Sequence, residues 1–383
     1  MLGVFLAIII FYISMYSYHN FYITFAIPVI FRNIYSPLLS GRGKQPKAAR
    51  GWGCKEKYLM KTSTEILDTV SRYIDTLPYD RHPQSLYEPI KYVLSAGGKR
   101  IRPSFVLMAY NLFKDDVETA LPAAAALETY HNYTLLHDDL MDNADMRRGR
   151  ATVHKKWDAN TAILSGDTML SLAYLHLAKV APEYLKPALD LFTETALEVS
   201  EGQQLDMEFE SRQDVSEVEY IEMIRLKTSV LLACALKMGA LLAGASAEDC
   251  DLIYKFGEKV GLAFQLQDDY LDVYGDPKVF GKAIGGDITS NKKTYMLINA
   301  WLRADEATRQ ELQHWIDATD FNREEKIRAV TAIYNKVGID RLAEEKIKEC
   351  FDDSRQYLDR ISIADDRKQV LREYTERMMN RKK

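Results

Sequence analysis

The sequence predicts an all-α protein, and three observations support that prediction. From about residue 62 onward, apolar residues recur three and four positions apart, the spacing that places them on one face of a helix. The same part of the chain has no convincing run of alternating apolar and polar residues, the pattern of a half-buried strand. The breaks between periodic segments carry glycine, proline and charged residues, as loops do. A single-domain helical bundle is the economical architecture.

The predicted helices follow one another along the chain. The first is indicated by the spacing of Ile66, Val70, Tyr73, Ile74 and Leu77. Further segments with helical periodicity cover residues 120–143, 161–181, 185–208, 218–245 and 247–274. The C-terminal part alternates charged and apolar positions, as amphipathic helices do. Loops are predicted at Gly97-Gly98, Arg147-Arg148-Gly149, Gly275-Asp276-Pro277 and residues 281–291.

The bulk composition limits the class of function. The chain has 383 residues, of which 47% are hydrophobic and 27% are charged, and its formal net charge is −5. This balance is ordinary for a globular protein and lacks the basic excess of a nucleic-acid-binding protein. Cys54, Cys234, Cys250 and Cys350 lie far apart without metal or redox spacing. We therefore expect buried or idle thiols in a reducing compartment.

The first 59 residues differ from the rest of the chain. They contain no charged residue before Arg32, and apolar runs cover residues 2–18 and 21–31. By length this stretch can span a bilayer, and the basic residues after it would lie in the cytoplasm. A secretory signal is less favoured, because no basic region opens the chain. The other interpretation is a misassigned start, since Met60 opens an ordinary protein N-terminus.

These observations predict two regions. Residues 1–59 form a hydrophobic extension and linker, and residues 60–383 form the functional domain. We expect a cytoplasmic protein, which is membrane-anchored only if the extension is translated.

The strongest chemical feature is a group of acidic residues spaced by one helical turn. Asp138 and Asp142 lie four positions apart and share a helix face, with Asp139 beside them. Carboxylates this close repel one another unless a cation lies between them, and carboxylate oxygens are preferred ligands of Mg²⁺. A single motif of this kind is also typical of a solvated acidic turn.

The same spacing recurs at Asp268, Asp269 and Asp272, again after an apolar run, residues 260–266. Two such helices facing each other across a bundle would form a cage of carboxylates. Because Mg²⁺ binds one or two carboxylates together with water and substrate phosphates, the cage predicts a phosphorylated substrate.

Basic residues flank both acidic motifs. They are Lys99, Arg100, Arg102, Arg147, Arg148, Lys227, Lys282, Lys292 and Lys293. Arginine suits a bidentate grip on phosphate oxygens, and lysine acts as a point charge. Each alone is more typical of a solvated surface charge. Together they predict one diphosphate bound through metal and another bound by cations alone.

Taken in order, these motifs resemble those of the trans-isoprenyl diphosphate synthases, the family of farnesyl and geranylgeranyl diphosphate synthases. The resemblance runs from about Tyr87 to the C-terminus. It rests on residues 97–103, 136–149, 202–206, 227–229, 264–272 and 281–294. Ala151 departs from the proline that many members carry, and the N-terminal extension is not a family feature.

The resemblance implies an isoprenoid synthase type I fold, a helical bundle around a central cavity, and a homodimer. Asp138 and Asp142 would bind two of three Mg²⁺ ions, and Asp268 would bind the third. Asp139, Asp272 and Asp206 would support them at the metal site. Mn²⁺ would substitute for Mg²⁺. The allylic diphosphate would be held by Arg147, Lys227, Gln265, Lys282 and Lys292. Isopentenyl diphosphate would be held by Lys99, Arg102, His131 and Arg148, with the basic tail at residues 381–383 closing over it.

The implied reaction joins isopentenyl diphosphate to dimethylallyl, geranyl or farnesyl diphosphate. Asp138, Asp142 and Asp268 are the implied catalytic carboxylates, and the Lys227 carbonyl and Thr228 hydroxyl would stabilise the carbocation. Product length depends on the depth of the apolar pocket. Five and eight residues before Asp138, Tyr133 and Tyr130 would form its floor, one to two helical turns down, or they are ordinary core tyrosines. We expect farnesyl or geranylgeranyl diphosphate, with a longer polyprenyl diphosphate as the alternative.

Other helical proteins match the motifs less well. A class I terpene cyclase or squalene-type synthase would typically have a different second acidic motif and no basic cluster near Lys99. A non-catalytic synthase subunit would have lost aspartates or that cluster. A di-iron bundle would need well-placed Glu-x-x-His pairs, which the sequence does not offer.

Overall fold

The computed structural model describes residues 60–276 and 284–379, and over these residues the chain is almost entirely helical, as the sequence predicts. The helices are α1 (Ser63–Asp75), α2 (Gln84–Ser95), α3 (Ile101–Phe113), α4 (Leu121–Met141), α5 (Val153–Lys156), α6 (Ala159–Leu177), α7 (Pro182–Ser211), α8 (Glu217–Ile224), α9 (Val230–Leu242), α10 (Ala247–Tyr274), α11 (Gly286–Thr289), α12 (Tyr295–Arg303), α13 (Glu306–Asp317), α14 (Arg323–Lys336), α15 (Ile339–Arg360) and α16 (Asp365–Met379). The predictions for residues 1–59 (including Cys54), Pro277, Lys282 and residues 381–383 lie outside the described residues.

The centre of the bundle is formed by α3 and α9. Both helices bury side chains on nearly every face, so each needs neighbours all round. The α9 helix packs against α3, α7 and α10, while α4 packs between α3 and α6. These contacts bring the C-terminal half of α4, which carries the first acidic motif, into the same bundle as α10, which carries the second.

The long helix α10 belongs to two apolar clusters. Its first half packs with α9, through side chains such as Ile253, Phe256 and Val260. Its second half packs with α12, α14 and α15, through Leu266, Tyr270 and others. The second acidic motif therefore lies on a helix held along its whole length.

A short β-hairpin replaces the loop predicted after the first acidic motif. Strands β1 (Met146–Arg147) and β2 (Arg150–Ala151) pair antiparallel, with Arg147 opposite Arg150. Arg148 and Gly149 between them both have positive φ, 52° and 72°, as a two-residue type I′ turn requires. Strands of two residues are too short to produce an alternating sequence pattern, which is why the sequence predicts only a loop.

The single helix predicted over residues 218–245 is wrong in one detail. Helices α8 and α9 are joined by a π-turn, Arg225–Ser229, in which the Val230 N–H bonds to the Arg225 carbonyl, five residues back. A π-turn adds one residue and shifts the phase of the apolar face, but α9 is buried on nearly every face, so the shift leaves little sign in the sequence. Such turns are often found at functional sites.

The cysteines and the helices bear on two further predictions. Cys234, Cys250 and Cys350 are buried free thiols, as expected. Within residues 60–276 and 284–379, no helix combines the length and apolar character that crossing a membrane requires. The cytoplasmic location and the anchor alternative stay predictions.

Candidate active site

A cavity of about 640 Å³ opens between α3, α4, α7, the π-turn and α10. The first residues of both acidic motifs, Asp138 and Asp268, line this one space. Other predicted site residues that line it are Lys99, Arg102, Tyr130, His131, Tyr133, Arg147, Arg148, Lys227, Thr228 and Gln265. Residues far apart in sequence thus meet around a single cavity.

The first acidic motif occupies the C-terminal turn of α4. Burial raises the pKa of Asp138 above its ordinary value, and the Asp142 and Asp139 carboxylates add to the rise, while Lys227 and Arg147 oppose it. Asp142 is the C-cap of the helix. Asp139 is buried and pairs with Arg147 of the hairpin, Oδ1 to Nε at 2.6 Å. The hairpin thus neutralises Asp139, whereas Asp138 faces the cavity.

The second acidic motif divides its three carboxylates between different partners. Asp268 lines the cavity. Asp269 is buried and accepts hydrogen bonds from the Tyr220 hydroxyl and from Gln265 Nε2, and burial raises its pKa to about 7. Asp272 accepts the backbone N–H of Asp287 at 2.9 Å and so holds the start of α11 against the end of α10. The proposed metal role of Asp272 stays a prediction.

At the basic end of the cavity, the side chains of Arg100 and Arg102 point in different directions. Arg100 turns into the protein, where its Nη1 lies 2.6 Å from Glu128 Oε1 and its Nη2 donates to the Leu94 carbonyl. Arg102 Nη1 lies 3.1 Å from His131 Nε2, and its buried Nε has no hydrogen-bond partner among the described residues. Burial, with a contribution from nearby Arg148, lowers the pKa of Arg102 to about 10, so the guanidinium stays charged at neutral pH.

This cluster has the electrostatic character of an anion site. Burial, followed by Arg102, Arg148 and Arg147, lowers the pKa of His131 well below its ordinary value, so its imidazole is neutral. Three like charges this close, one of them with a buried and unused N–H, are costly unless an anion neutralises them.

The predicted Gly97-Gly98 loop explains how Arg148 reaches the cluster. Arg148 donates to the Gly97 carbonyl, and a Cβ placed on Gly98 would lie 2.8 Å from the Arg148 Cζ. Gly98 also has φ +128°, which side-chain-bearing residues rarely adopt. The backbone conformation therefore requires glycine here, whereas the flexible end of the Arg148 side chain could shift to admit a Cβ.

The π-turn supplies two polar groups on the opposite side of the cavity. Lys227 Nζ lies 2.5 Å from Asp206 Oδ2, and the Thr228 hydroxyl donates to Gln265 Oε1 at 3.1 Å. Both Lys227 and Thr228 line the cavity.

A second cavity of about 510 Å³ shares Lys227 with the first. Asp142, Asp206, Lys292 and Lys293 also line it. Burial lowers the pKa of Lys292, but the carboxylates of Asp206, Asp287, Asp269 and Asp142 outweigh that effect and raise it above its ordinary value. The predicted acidic and basic residues thus divide between two cavities that meet at Lys227.

The donor chemistry at this junction fits a hard divalent cation. In the part of the chain that the structure describes, no group of three or more acidic, histidine or cysteine side chains encloses a metal position by itself. Mg²⁺ needs no such enclosure, because water and substrate phosphates complete its shell around one or two carboxylates. Asp138 is half-buried beside like charges, a repulsion that a cation would relieve.

Below Asp138 the cavity wall is aromatic. The ring of Tyr133 lies 5.5 Å from that of Tyr130, which in turn packs edge-on against Phe192 of α7 at 5.3 Å. Tyr130 is 2% exposed and donates its hydroxyl to the Ala196 carbonyl. Phe192 was not predicted, because its part in this wall depends on packing between helices and has no signature in the sequence.

Comparison with known proteins agrees with this geometry. The family model described as Polyprenyl synthetase matches residues 83–334. A geranylgeranyl diphosphate synthase of Methanosarcina mazei is 42% identical over 250 residues, covering 63% of this chain and 77% of that protein. A crystal structure of a geranylgeranyl pyrophosphate synthase superposes with a TM-score of 0.79 at 41% identity, covering 85% of this chain and 100% of that one. A Corynebacterium glutamicum geranylgeranyl pyrophosphate synthase, complexed with isoprenyl diphosphate and magnesium, has a TM-score of 0.73 at 28% identity over 84% and 98% of the two chains.

Proposed function

The chain belongs to the polyprenyl synthetase family, and we propose that it makes farnesyl or geranylgeranyl diphosphate. It is a short-chain trans-prenyltransferase that joins isopentenyl diphosphate to an allylic diphosphate and releases pyrophosphate. The site is chosen because one cavity is lined both by Asp138 and Asp268 and by the cations of Lys99, Arg102 and Arg148. This charge distribution favours diphosphates, held through metal at one end and by cations at the other.

The family uses a divalent metal, and we assign three Mg²⁺ ions, with Mn²⁺ as a substitute, to the acidic motifs of this chain. Asp138 and Asp142 would hold two ions and Asp268 the third, supported by Asp139, Asp272 and Asp206. When bound, the ions neutralise the leaving pyrophosphate. The partial burial of Asp138 among like charges supports this assignment.

Each substrate has its own set of binding residues in this proposal. Isopentenyl diphosphate is bound by Lys99, Arg102, His131 and Arg148. The allylic diphosphate is bound by Arg147, Lys227, Gln265, Lys282 and Lys292. The guanidinium of Arg102 in the cavity wall and the acidic surroundings of Lys292 support the two sets, because each places a positive charge at one of the two substrate positions.

The carbocation left by loss of pyrophosphate needs acceptors nearby and no water. Thr228 offers its hydroxyl lone pairs, and the Lys227 backbone carbonyl is the second acceptor. Isopentenyl diphosphate, held at the basic end, attacks the cation with its double bond. The departing pyrophosphate is the base that takes the proton lost at the end.

Product length is limited by the aromatic wall in this proposal. The growing chain extends along α4 until it meets Tyr133, with Tyr130 and Phe192 behind it. Because Tyr130 and Phe192 pack against each other behind Tyr133, removing the Tyr133 ring should deepen the pocket as far as Tyr130.

We also propose a homodimer and a domain boundary at residue 60. Exposed apolar side chains on α6 and α7, Ile163, Leu164, Leu175 and Leu197, offer a surface for a second copy. A Leu164→Glu, Leu197→Glu double variant should be monomeric by light scattering. A fragment of residues 60–383 should retain full activity.

The test of the proposed function is direct. Labelled isopentenyl diphosphate is incubated with dimethylallyl, geranyl or farnesyl diphosphate, with and without Mg²⁺, and the products are separated by chromatography. We expect metal-dependent formation of farnesyl or geranylgeranyl diphosphate and its loss in Asp138→Asn. A product beyond geranylgeranyl diphosphate would overturn the assignment of the wall.

A further inference from the structure

The π-turn that carries Lys227 and Thr228 is held between two glycines. A Cβ on Gly202 of α7 would lie 2.7 Å from the Leu226 carbonyl carbon, and one on Gly261 of α10 would lie 2.6 Å from the Ser229 Cα. Real Cβ atoms essentially never approach within 3.0 Å. Both helices therefore lie directly against the backbone of the turn.

Arg225, the first residue of the turn, is bound by carboxylates from three helices. Its Nη1 lies 3.5 Å from Glu198 Oε1 of α7 and 3.3 Å from Glu258 Oε2 of α10, while its Nε donates to Glu222 of α8 at 2.8 Å. Arg225, Glu198 and Glu258 are each 24 to 30% exposed, so this network is partly screened from water.

The charged network and the glycine contacts lie on the same helix faces. Glu198 is four residues before Gly202, and Glu258 is three residues before Gly261, so each pair is one helical turn apart. A π-turn is rare and is a poorer arrangement than an α-helix, so its position depends on outside contacts. Arg225 ties the turn to both helices that enclose it.

We propose that Arg225, with Glu198 and Glu258, is a positioning unit that keeps the π-turn in register so that Lys227 and Thr228 both face the cavity. The inference rests on the proposed function, because it takes these two residues as the groups at the allylic end of the reaction. Among the described residues that line the cavity Arg225 is absent, so it acts through the turn and not on substrate.

The test separates positioning from general stability. Steady-state kcat and the KM for each substrate are measured for Arg225→Ala, Arg225→Lys, Glu198→Gln and Glu258→Gln. The matched control is Arg367→Ala, because Arg367 is a similarly exposed arginine that joins α16 to Asp115 and the Leu112 carbonyl at the far end of α3. Thermal unfolding midpoints are recorded for every variant.

We expect Arg225→Ala to lower kcat about 10- to 100-fold, because small displacements of reacting groups have effects of that size. The KM for the allylic substrate should rise, while that for isopentenyl diphosphate stays unchanged, since Arg102 lies on another helix. The two glutamine variants should show smaller changes in kcat and in the allylic KM, with the KM for isopentenyl diphosphate again unchanged. Arg225→Lys should be more active than Arg225→Ala. Arg367→Ala should lose stability and keep wild-type kinetics.

Three results would overturn the inference. One is wild-type kcat and allylic KM in folded Arg225→Ala or, if that variant does not fold, in both glutamine variants. Another is an equal kinetic loss in Arg367→Ala, since the effect would then follow stability alone. The third is wild-type kinetics in Lys227→Ala, because the π-turn would then have no part in the reaction. If Lys227→Ala loses activity while Arg225→Ala keeps wild-type kinetics, the positioning unit is refuted and the proposed function stands.

Discussion

The Thr228 hydroxyl donates a hydrogen bond to Gln265 Oε1 at 3.1 Å, and this bond fixes the direction of both side chains. Gln265 Nε2 donates to Asp269 Oδ1 at 3.0 Å, and the Tyr220 hydroxyl donates to the other oxygen of that carboxylate. The amide therefore turns its nitrogen to Asp269 and its oxygen to Thr228. The Thr228 proton is thereby committed, and its lone pairs remain for a positive charge in the cavity.

Replacing the hydroxyl by a methyl group tests this arrangement. Thr228→Val keeps the shape of the side chain and removes the acceptor, so we expect kcat to fall about 100- to 1,000-fold, the scale of losing one preorganised polar group at a developing charge. Thr228→Ser retains the hydroxyl and should stay close to the wild type. Steady-state rates at saturating substrates measure the effect, and a Thr228→Val enzyme with unchanged kcat would contradict it.

The aromatic wall predicts a change in product and not in rate. Tyr133→Ala removes the ring that faces the cavity, so the chain can extend as far as Tyr130 before it stops. Longer prenyl diphosphates should then appear by chromatography of products made from labelled isopentenyl diphosphate. Tyr133→Phe keeps the ring and is the control. An unchanged product distribution in Tyr133→Ala would mean that the tyrosine is only a core residue.

Local periodicity was enough to predict much of this fold. The helix predicted over residues 247–274 is Ala247–Tyr274 in the structure, because its apolar positions and its bounding residues agree. The sequence also placed both acidic motifs after apolar helical runs, and the structure brings Asp138 and Asp268 to one cavity.

Features that depend on contacts between distant segments were not predictable. The π-turn depends on Gly202 and Gly261, which belong to two other helices. The inward turn of Arg100 depends on Glu128 of α4, whereas by sequence Arg100 and Arg102 look alike. A pattern along the chain reports which face is apolar, but not which charged side chain finds a buried partner.

Arg102 should therefore act in binding. Its guanidinium lies in the cavity beside His131, and hydrogen bonds to charged groups contribute about 1.5 to 3 kcal/mol. Arg102→Ala should raise the KM for isopentenyl diphosphate by roughly one to two orders of magnitude. The KM for the allylic substrate in the same variant is the internal control. A rise in both constants would show that the arginine does not distinguish the two substrates.

Arg100 should act in stability instead. It forms an ion pair with Glu128 in which both side chains are less than a tenth exposed, and removing one partner leaves a buried charge uncompensated. Such a loss typically costs about 3 to 5 kcal/mol, so Arg100→Met should lower the free energy of unfolding in urea by that order. The Arg100→Met, Glu128→Leu double variant removes both charges and should recover part of the loss, although Asn132 then loses one hydrogen bond to Glu128. An Arg100→Met protein with wild-type stability and a raised KM for isopentenyl diphosphate would contradict this prediction. The buried ion pair would then contribute little to stability, and Arg100 would take the binding role assigned to Arg102.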